Sequence, residues 1–353
     1  MKVTAVEVLP VQIPIEGHVA AVSAAVVRLR TDDGAEGLGH AIPFSPQQFR
    51  SLVAAVEELG ELLVGQDPTR PERVHRTLLP SGWGLGGVGN VATAALDMAV
   101  WDLAAKSAGL PLYRLLGGYR NRVPAYASLR LRLPLTIPEL QEVAASLVAQ
   151  GFRAVKMNVG GQSTIAGEVA RVRAVREAIG PDVSLLADAN SRWTPSQAIR
   201  VGRALAEFDL FWLEDPVPAH NLEGHAEVRR ALDIPIATGE ALFSLPAFRP
   251  LFEARGVDVP MPDLLRVGGI TPFVKLAHLA EAYSLPFANH LSPEISAQVV
   301  AAVPNGHIVE YIPWAWQLFQ GCPILDHGEL VMNEEPGHGL TLDADFAERH
   351  ALR

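Results

Sequence analysis

The stretch from VSLLADAN (183–190) to HIVEY (307–311) sets the architecture of this chain. Each short apolar run within it ends in a single ionisable residue, namely Asp188, Glu214, Glu240, Asp263, His290 and Glu310. Successive members are 26, 26, 23, 27 and 20 residues apart, about the length of a strand, a helix and two loops. Parallel strands closed into a barrel would bring all six side chains to one mouth, where barrel enzymes place their chemistry. The spacing therefore predicts an α/β barrel with its functional site at that mouth.

The same alternation of apolar strand and amphipathic helix begins at Val123 and gives eight strands. The strands are VPAYASL (123–129), FRAVKMNVG (152–160), VSLLADAN, LFWLED (210–215), IPIATGE (234–240), VDVPMPD (257–263), PFANH (286–290) and HIVEY. The predicted helices cover 138–150, 164–179, 195–207, 222–232, 246–254, 270–283 and 293–301. No strand is predicted beyond HIVEY.

An α+β domain is predicted before the barrel. Alternating patterns indicate strands at 2–13 and 22–30, with a third strand after the turn in TDDGAEGLGHA (31–41). Helices are predicted at 47–64, 71–79 and 91–107. Gly117, Gly118 and Asn121 mark a break, so we expect domains at 1–118 and 119–322, with the tail from about 323 to 353 folding back onto the first.

Two features of this first part are interpreted as structural. The Gly-rich segment 81–90 lacks the lysine and the preceding strand of a phosphate-binding loop, which favours a connection. Asp97 and Asp102 lie in a nearly all-apolar helix and are expected to pair with backbone groups or arginines.

Composition excludes several classes of partner. The chain of 353 residues has a formal net charge of -10 and no Lys/Arg cluster, which argues against nucleic acid and anionic membranes as partners. No apolar run reaches the ~20 residues that span a bilayer, and the N-terminus alternates without a secretory signal pattern, so a cytoplasmic location is expected. The lone cysteine, Cys322, is expected to be a buried, small apolar residue.

Asp188, Glu214 and Glu240 end three consecutive strands and would be neighbours in a barrel. Three carboxylates in a partly buried site repel one another unless a cation neutralises them. An all-oxygen ligand set points to a hard ion, and Mg²⁺ suits it better than Zn²⁺. The alternative is that these acids are loop residues or helix caps, because Asp and Glu are common where strands turn into helices.

The chain resembles the mandelate-racemase-like branch of the enolase superfamily. The matching segments are AALDMAVWDLAAKSAGLPLYRLLGG (94–118), GFRAVKMNVG (151–160), LLADANSRW (185–193), FWLEDPV (211–217), ATGE (237–240), MPDLLRVGGIT (261–271) and ANHLSPEISA (288–297). The resemblance implies a modified TIM barrel of eight parallel strands and about seven helices, with an α+β capping domain built from both chain ends. It also implies that Asp188, Glu214 and Glu240 bind Mg²⁺, and that the metal grips the carboxylate of a small-molecule substrate.

The resemblance further implies a catalytic pair. Asp263 and His290 match the family's Asp and His, in which the carboxylate orients the imidazole and leaves its other nitrogen to act as a base. Removal of an α-proton builds negative charge on the substrate carboxylate, which the metal and an acid such as Glu310 would stabilise.

The family commonly has a lysine at the positions of both Lys156 and Asn158, and an amide cannot accept a proton at neutral pH. With one clear base, the site predicts dehydration of an acid sugar, an α,β-dihydroxy acid, to a 2-keto-3-deoxy acid. Lys156 is expected to act as a catalytic residue or an electrostatic clamp.

Two other functions stay open. One is a racemase or epimerase that uses Lys156 and His290, and the other is an inactive homologue that binds metal and carboxylates. Substrate contacts are expected from Asn158, Asn190, Trp314 and His18, and further candidates around the mouth are Trp83, Arg130, Arg132 and Trp316. The family tendency and the apolar helix near 91–105, interpreted as surface, predict a homo-oligomer.

Overall fold

The computed structural model of the chain describes residues 1–15, 21–79 and 86–352, so His18 and Trp83 lie outside the described residues. Its first part contains β1 (Val3–Ile13), β2 (Val22–Thr31), β3 (Glu36–Ala41), α1 (Phe49–Glu61), α2 (Pro71–Leu78), α3 (Gly87–Ala108) and α4 (Leu112–Leu115). The three strands form an antiparallel sheet in chain order, as predicted.

Helix α3 is the core of this first part, which we call the cap. A Cβ at Gly37 or Gly39 of β3 would collide with backbone carbonyls of α3, so the two glycines allow the strand to lie directly on the helix. All but one of the residues from Asn90 to Ala105 are buried within the chain. The expectation that this helix provides apolar surface for an oligomer is therefore wrong, because its own chain covers it.

Seven strands of the barrel are β4 (Arg122–Leu131), β5 (Ala154–Asn158), β6 (Ser184–Asp188), β7 (Leu210–Glu214), β8 (Ile236–Thr238), β9 (Val259–Pro260) and β10 (Val309–Tyr311). They are parallel, β4 to β9 follow one another in space, and β10 pairs with β4. The segment PFANH takes the eighth position through isolated bridges, from Asp263 to His290 on one side and from Phe287 to Gly306 on the other. The predicted order of eight parallel positions is confirmed.

The barrel helices are α5 (Ile137–Ala149), α6 (Ile165–Ile179), α7 (Pro195–Leu205), α8 (Leu222–Ala231), α9 (Phe248–Glu253), α10 (Leu264–Val267), α11 (Ile270–Ala282) and α12 (Pro293–Ala302). Side chains at the N-termini fix several starts; Thr194, for example, forms a reciprocal capping box with Gln197 ahead of α7. The short α10 was not predicted. No helix of the described residues has the length and apolar character needed to cross a membrane.

The C-terminal part contains β11 (Phe319–Gln320), β12 (Ile324–Asp326), β13 (Glu329–Val331), β14 (Thr341–Leu342) and α13 (Ala344–Arg349). The expectation of no strand after HIVEY is wrong, since β13 pairs antiparallel with β4; these strands have two or three residues, too few to show a periodicity.

The two aspartates of α3 join the cap to the rest of the chain. Asp102 accepts hydrogen bonds from the backbone N–H groups of Leu38 and His338, at 2.9 and 3.1 Å. Asp97 accepts from the backbone N–H and the hydroxyl of Thr271, at the start of α11. Both bind backbone groups as predicted, although their side-chain partners are a lysine and a threonine, not arginines.

Candidate active site

The register of the barrel strands aligns the polar residues at their carboxyl ends. Asn158 pairs with Asp188, and Asp188 pairs with Glu214, so these three residues lie at one level of the sheet. Glu240 and Asp263 follow β8 and β9 by two and three residues. The six ionisable residues singled out in the sequence therefore meet at one mouth, as the spacing predicts.

Lys156 is the centre of a buried charge network. Its Nζ lies 2.6 Å from Oε1 of Glu214, 2.8 Å from Oε1 of Glu310 and 3.5 Å from Oδ2 of Asp188. Burial lowers the pKa of Lys156, but the attraction of these carboxylates outweighs it and holds the pKa well above its usual value. The side chain is therefore a fixed cation in this arrangement.

Glu310 is oriented by the cation and by the backbone. Its Oε2 accepts a hydrogen bond from the backbone N–H of Leu291 at 2.9 Å, while Oε1 faces Lys156. Burial raises the pKa of Glu310, and the positive charges of Lys156 and His290 reverse this and lower it to about 2. Both carboxylate oxygens of Glu310 therefore act as acceptors in this arrangement.

Asn190 links Asp188 to Asn158. Its backbone N–H and its Nδ2 both donate to the Asp188 carboxylate, at 2.8 and 2.9 Å. Its Oδ1 accepts a hydrogen bond from Nδ2 of Asn158 at 2.9 Å. Asn190 lies beyond the end of β6 in a left-handed conformation with φ of 46°, so it closes the turn after the strand.

His290 is bound at both ring nitrogens. Nδ1 lies 2.7 Å from Oδ2 of Asp263, and Nε2 lies 3.1 Å from Oε2 of Glu240. Asp263 is itself fixed, because its Oδ1 accepts from the backbone N–H groups of Leu265 and Arg266 at the start of α10. Burial lowers the pKa of His290, and Glu240 and Asp263 overcome this and raise it to about 9.

Arg266 is a site residue that the sequence analysis missed. Its Nη1 donates to the backbone carbonyl of Glu240 at 2.6 Å and lies 3.6 Å from the carboxylate Oε1 of the same residue. Its guanidinium stacks 4.2 Å above the ring of Phe44, which belongs to the cap. Arg266 lies within the quoted segment MPDLLRVGGIT, three residues after the helix-capping Asp263, and that position was the available signal.

The carboxylates outnumber the cations around this centre. Six acids face two permanent cations and one histidine; the acids are Asp188, Glu214, Asp215, Glu240, Asp263 and Glu310. Three of the acids have a raised pKa because they are buried and because other carboxylates lie nearby. The pKa of Asp188 is above its usual value, that of Glu214 is well above it, and that of Asp215 is raised to about 7. This surplus of buried oxygen ligands fits a divalent hard cation.

The three expected ligands do not surround a single point in this structure. Within residues 1–15, 21–79 and 86–352, no three acidic, histidine or cysteine side chains are arranged to hold a metal ion. The reason lies in their present partners: Asp188 and Glu214 contact Lys156, whereas Glu240 contacts His290 and Arg266. The residues have the right chemistry for Mg²⁺, and their side chains must turn to hold it.

A cavity of about 280 Å³ opens over the charged network. The cap contributes the apolar residues 42–44, and the barrel contributes Leu129, Ile312 and Trp314 to the walls. The predicted site residues Lys156, Asp188, Asn190, Glu240, His290 and Glu310 also line it. Trp314 thus lies at the site, whereas Asn158, Trp316, Arg130 and Arg132 are not among its lining residues.

A second buried pair borders this cavity and was also missed. Glu294, at the start of α12, lines the cavity, and its Oε1 lies 2.7 Å from Nε2 of His40 in β3. Both side chains are at most 1% exposed. The glutamate lies within the quoted segment ANHLSPEISA, four residues after His290.

The family models match both parts of the chain. The model of the mandelate racemase / muconate lactonizing enzyme N-terminal domain matches residues 1–117, and the enolase C-terminal domain-like model matches residues 139–346. The chain belongs to the mandelate racemase/muconate lactonizing enzyme family of the enolase superfamily. The resemblance and the fold that it implied are confirmed.

Members of this family with related sequences include named acid-sugar enzymes. The chain is 35% identical over 320 residues to L-talarate/galactarate dehydratase of Salmonella typhimurium, which covers 90% of this chain and 80% of that protein. It is 34% identical over 332 residues to 3,6-anhydro-α-L-galactonate cycloisomerase of Streptomyces coelicolor, covering 92% of this chain and 91% of that protein.

A solved relative carries the metal. The crystal structure of L-talarate dehydratase from Polaromonas sp. JS666, complexed with Mg and L-glucarate, superposes with a TM-score of 0.94 at 34% identity. The match covers 100% of this chain and 98% of that chain. The protein described here is accordingly a Mg²⁺-dependent enzyme of the dehydratase type, a lyase.

Proposed function

We propose that this enzyme dehydrates an acid sugar, an α,β-dihydroxy acid, to a 2-keto-3-deoxy acid, with His290 as the residue that moves the proton. The observation that carries the proposal is the orientation of His290. Asp263 holds Nδ1 at 2.7 Å, and Nε2 is directed at Glu240 beside the cavity. A ring oriented in this way can take a proton at Nε2 and return it there.

Asp188, Glu214 and Glu240 are the residues proposed to hold Mg²⁺. When bound, the ion supplies a Lewis acid that polarises the substrate carboxylate and offsets the charge that develops as the α-proton leaves. Glu240 has a double importance in this arrangement, because its Oε2 now contacts Nε2 of His290. With Glu240 turned towards Asp188 and Glu214, Nε2 of His290 would be uncovered, and the ring would lose the neighbouring charge that contributes most to raising its pKa, so that neutral imidazole would be available to take the proton.

Lys156 and Glu310 position the substrate in this proposal. With Asp188 and Glu214 holding the ion, the ammonium of Lys156 would retain Glu310 as its partner and could bind a substrate carboxylate oxygen. Glu310 stays fixed by the backbone N–H of Leu291. The pair therefore works as an electrostatic clamp, which was one of the two roles predicted for Lys156.

A single residue, His290, can carry out both proton transfers of the elimination. Nε2 of His290 takes the α-proton, and the electron pair of the broken C–H bond forms the double bond as the β-hydroxyl leaves. His290 returns its proton to that hydroxyl, which departs as water, and the enol product tautomerises to the 2-keto acid. A syn relation between the α-hydrogen and the β-hydroxyl lets one imidazole serve both steps.

The alternative of a racemase or epimerase has less support. That reaction needs an acceptor on the second face of the substrate, and Lys156 is a paired cation between Glu214 and Glu310. Asn158 is an amide whose Nδ2 donates to Asn190. Among the relatives, the names of several proteins, including D-xylonate dehydratase of Haloferax volcanii, also favour dehydration.

The test is a panel of acid sugars incubated with the enzyme and Mg²⁺, with 2-keto-3-deoxy product measured by semicarbazide absorbance. We expect His290→Asn to abolish product formation while Mg²⁺ binding persists, and His278→Asn, an exposed histidine of α11, to act as the wild type. Exchange of the α-hydrogen in D₂O without formation of keto product would show that the enzyme is a racemase or epimerase and not a dehydratase. Full activity of His290→Asn would show that Lys156, and not His290, is the base that takes the α-proton.

A further inference from the structure

The fold holds the three proposed metal ligands in different ways. Asp188 and Glu214 are the last residues of β6 and β7, pair with each other in the register of the sheet, and are at most 3% exposed. Glu240 follows the end of β8 by two residues, and its side chain is 19% exposed. The sheet therefore fixes the first two ligands, whereas the position of Glu240 depends on contacts made by the segment that follows β8.

This segment, residues 240–247, lies on the surface of the barrel. Each of its residues is at least partly exposed, and the next residue, Phe248 at the start of α9, is buried. Leu242 and Leu245 pack against the edge of the hydrophobic core. The end of the segment that carries Glu240 needs further support, because a metal ligand must be held close to its binding geometry.

Arg266 supplies part of that support. Its Nη1 donates to the backbone carbonyl of Glu240 at 2.6 Å, and the same atom lies 3.6 Å from the carboxylate Oε1. A guanidinium held at the carbonyl fixes the backbone and leaves the carboxylate able to turn towards the other ligands. A guanidinium that moved onto the carboxylate would instead compete with the metal for it.

Phe44 of the cap holds both Arg266 and the segment. The guanidinium lies 4.2 Å from the centre of the Phe44 ring, and stacking on an aromatic face restrains its planar group. The same ring meets Phe243, three residues after Glu240, edge to face at 5.9 Å. Phe44 is 37% exposed, so burial in the core does not explain its position.

From these contacts we infer that Phe44 is a positioning residue for the metal site: by holding Arg266 and Phe243 it keeps Glu240 in place, so that the cap contributes to Mg²⁺ affinity. The inference rests on the proposed ligand set, although Phe44 itself has no atom that can bind the ion. Loss of the ring would release the guanidinium, which would then leave the Glu240 carbonyl or move onto its carboxylate. Both movements withdraw Glu240 from the metal, so both lower the affinity.

The experiment is calorimetric titration of Mg²⁺ into the metal-free protein, with the Tm of each metal-free variant as a measure of folding. Phe44→Leu removes the aromatic face and keeps an apolar side chain, whereas Phe44→Tyr keeps the ring. Arg266→Gln is tested alone and together with Phe44→Leu, and Glu240→Gln tests the ligand itself. Tyr119→Leu is the matched control, because the exposed Tyr119 stacks on Arg120 at 4.7 Å and neither residue is among the described residues that line the cavity.

We expect Phe44→Leu to weaken Mg²⁺ binding about fivefold, Phe44→Tyr and Tyr119→Leu to bind as the wild type does, and Glu240→Gln to show the largest loss. In the Arg266→Gln background, Phe44→Leu should have a smaller effect than in the wild type, because the ring acts partly through the arginine.

Three results would overturn the inference: unchanged Mg²⁺ affinity in Phe44→Leu, whatever its Tm; the same loss in Phe44→Tyr or Tyr119→Leu; or a full, additive effect of Phe44→Leu without the arginine. Glu240→Gln separates this inference from the ligand set on which it rests. Unchanged affinity in Glu240→Gln would reject Glu240 as a ligand and the role of Phe44 with it, whereas a loss in Glu240→Gln alone would reject only the role of Phe44. Because no substrate is present, the outcome is independent of the proposed dehydration.

Discussion

Asn158 and Asn190 are joined by a hydrogen bond of 2.9 Å, from Nδ2 of the first to Oδ1 of the second. Through Asn190 the bond reaches Asp188, whose two carboxylate oxygens each accept from Asn190. Asn158, which occupies the position of the family's second lysine, therefore helps through Asn190 to orient Asp188, a proposed metal ligand. An ammonium at this position would approach the same ligands as a competing cation.

The first prediction concerns this support. Asn158→Ala should weaken activation by Mg²⁺ about tenfold, because residues that orient a metal ligand typically contribute 10–100-fold to affinity. Asn190→Ala removes both side-chain bonds and should have the larger effect. The measurement is the Mg²⁺ concentration that gives half-maximal activity or calorimetric saturation. Asn305→Ala, which binds carbonyls distant from the metal ligands, is the control. Unchanged Mg²⁺ activation in Asn158→Ala would show that Asn158 has no part in the support.

The second prediction concerns removal of the metal. A ligand that binds only the folded state stabilises it, so Mg²⁺ should raise the Tm of the wild type in a concentration-dependent way, and chelation should reverse the effect. Glu214→Gln removes one of the proposed ligands and should lose most of this shift together with activity. Glu207→Gln, an exposed acid, is the matched control. A Glu214→Gln protein that keeps the full Mg²⁺ shift would refute the ligand set.

The third prediction concerns the buried pair of His40 and Glu294, which joins the cap to the barrel at a distance of 2.7 Å. Removal of one partner leaves the other buried without compensation, so His40→Ala should lower the free energy of unfolding by roughly 3 kcal/mol. Arg173→Ala breaks an exposed pair with Glu207 and should cost about 1 kcal/mol or less. Denaturant unfolding measures both values. Equal losses in the two variants would contradict the interpretation of the His40 pair as a buried contact that joins the domains.

The sequence was informative where a pattern is local. The apolar runs ended at Asp188, Glu214 and His290, and because parallel strands place their ends at the same edge, their convergence followed from topology alone. The starts of α5 and α7 were equally readable, since a threonine followed within two residues by a proline marks a helix N-terminus.

What the sequence did not predict depends on side-chain direction and on contacts between distant segments. The residues next to Glu240 in the sequence do not indicate that its carboxylate contacts His290 and Arg266. Nor do they indicate that Phe44 of the cap stacks on that arginine. The apolar helix α3 was interpreted as surface, because composition does not distinguish a helix covered by its own chain from one covered by a second copy. Short strands such as β13 have too few residues for a pattern.

The last prediction concerns Cys322, the single cysteine of the chain. Burial, aided by the nearby charge of Glu294, raises the pKa of its thiol to about 12. Burial disfavours the charged thiolate, which is the reactive species, so the thiolate becomes abundant only when the pH approaches this raised pKa. At pH 8 the native protein should therefore react with Ellman's reagent far more slowly than the protein in denaturant, where the thiol has its ordinary pKa. The unfolded chain serves as the internal control for reagent and stoichiometry. Equally fast reaction of native and unfolded protein would show that Cys322 is accessible and ionises normally, which would contradict its partly buried position beside the Phe319 carbonyl.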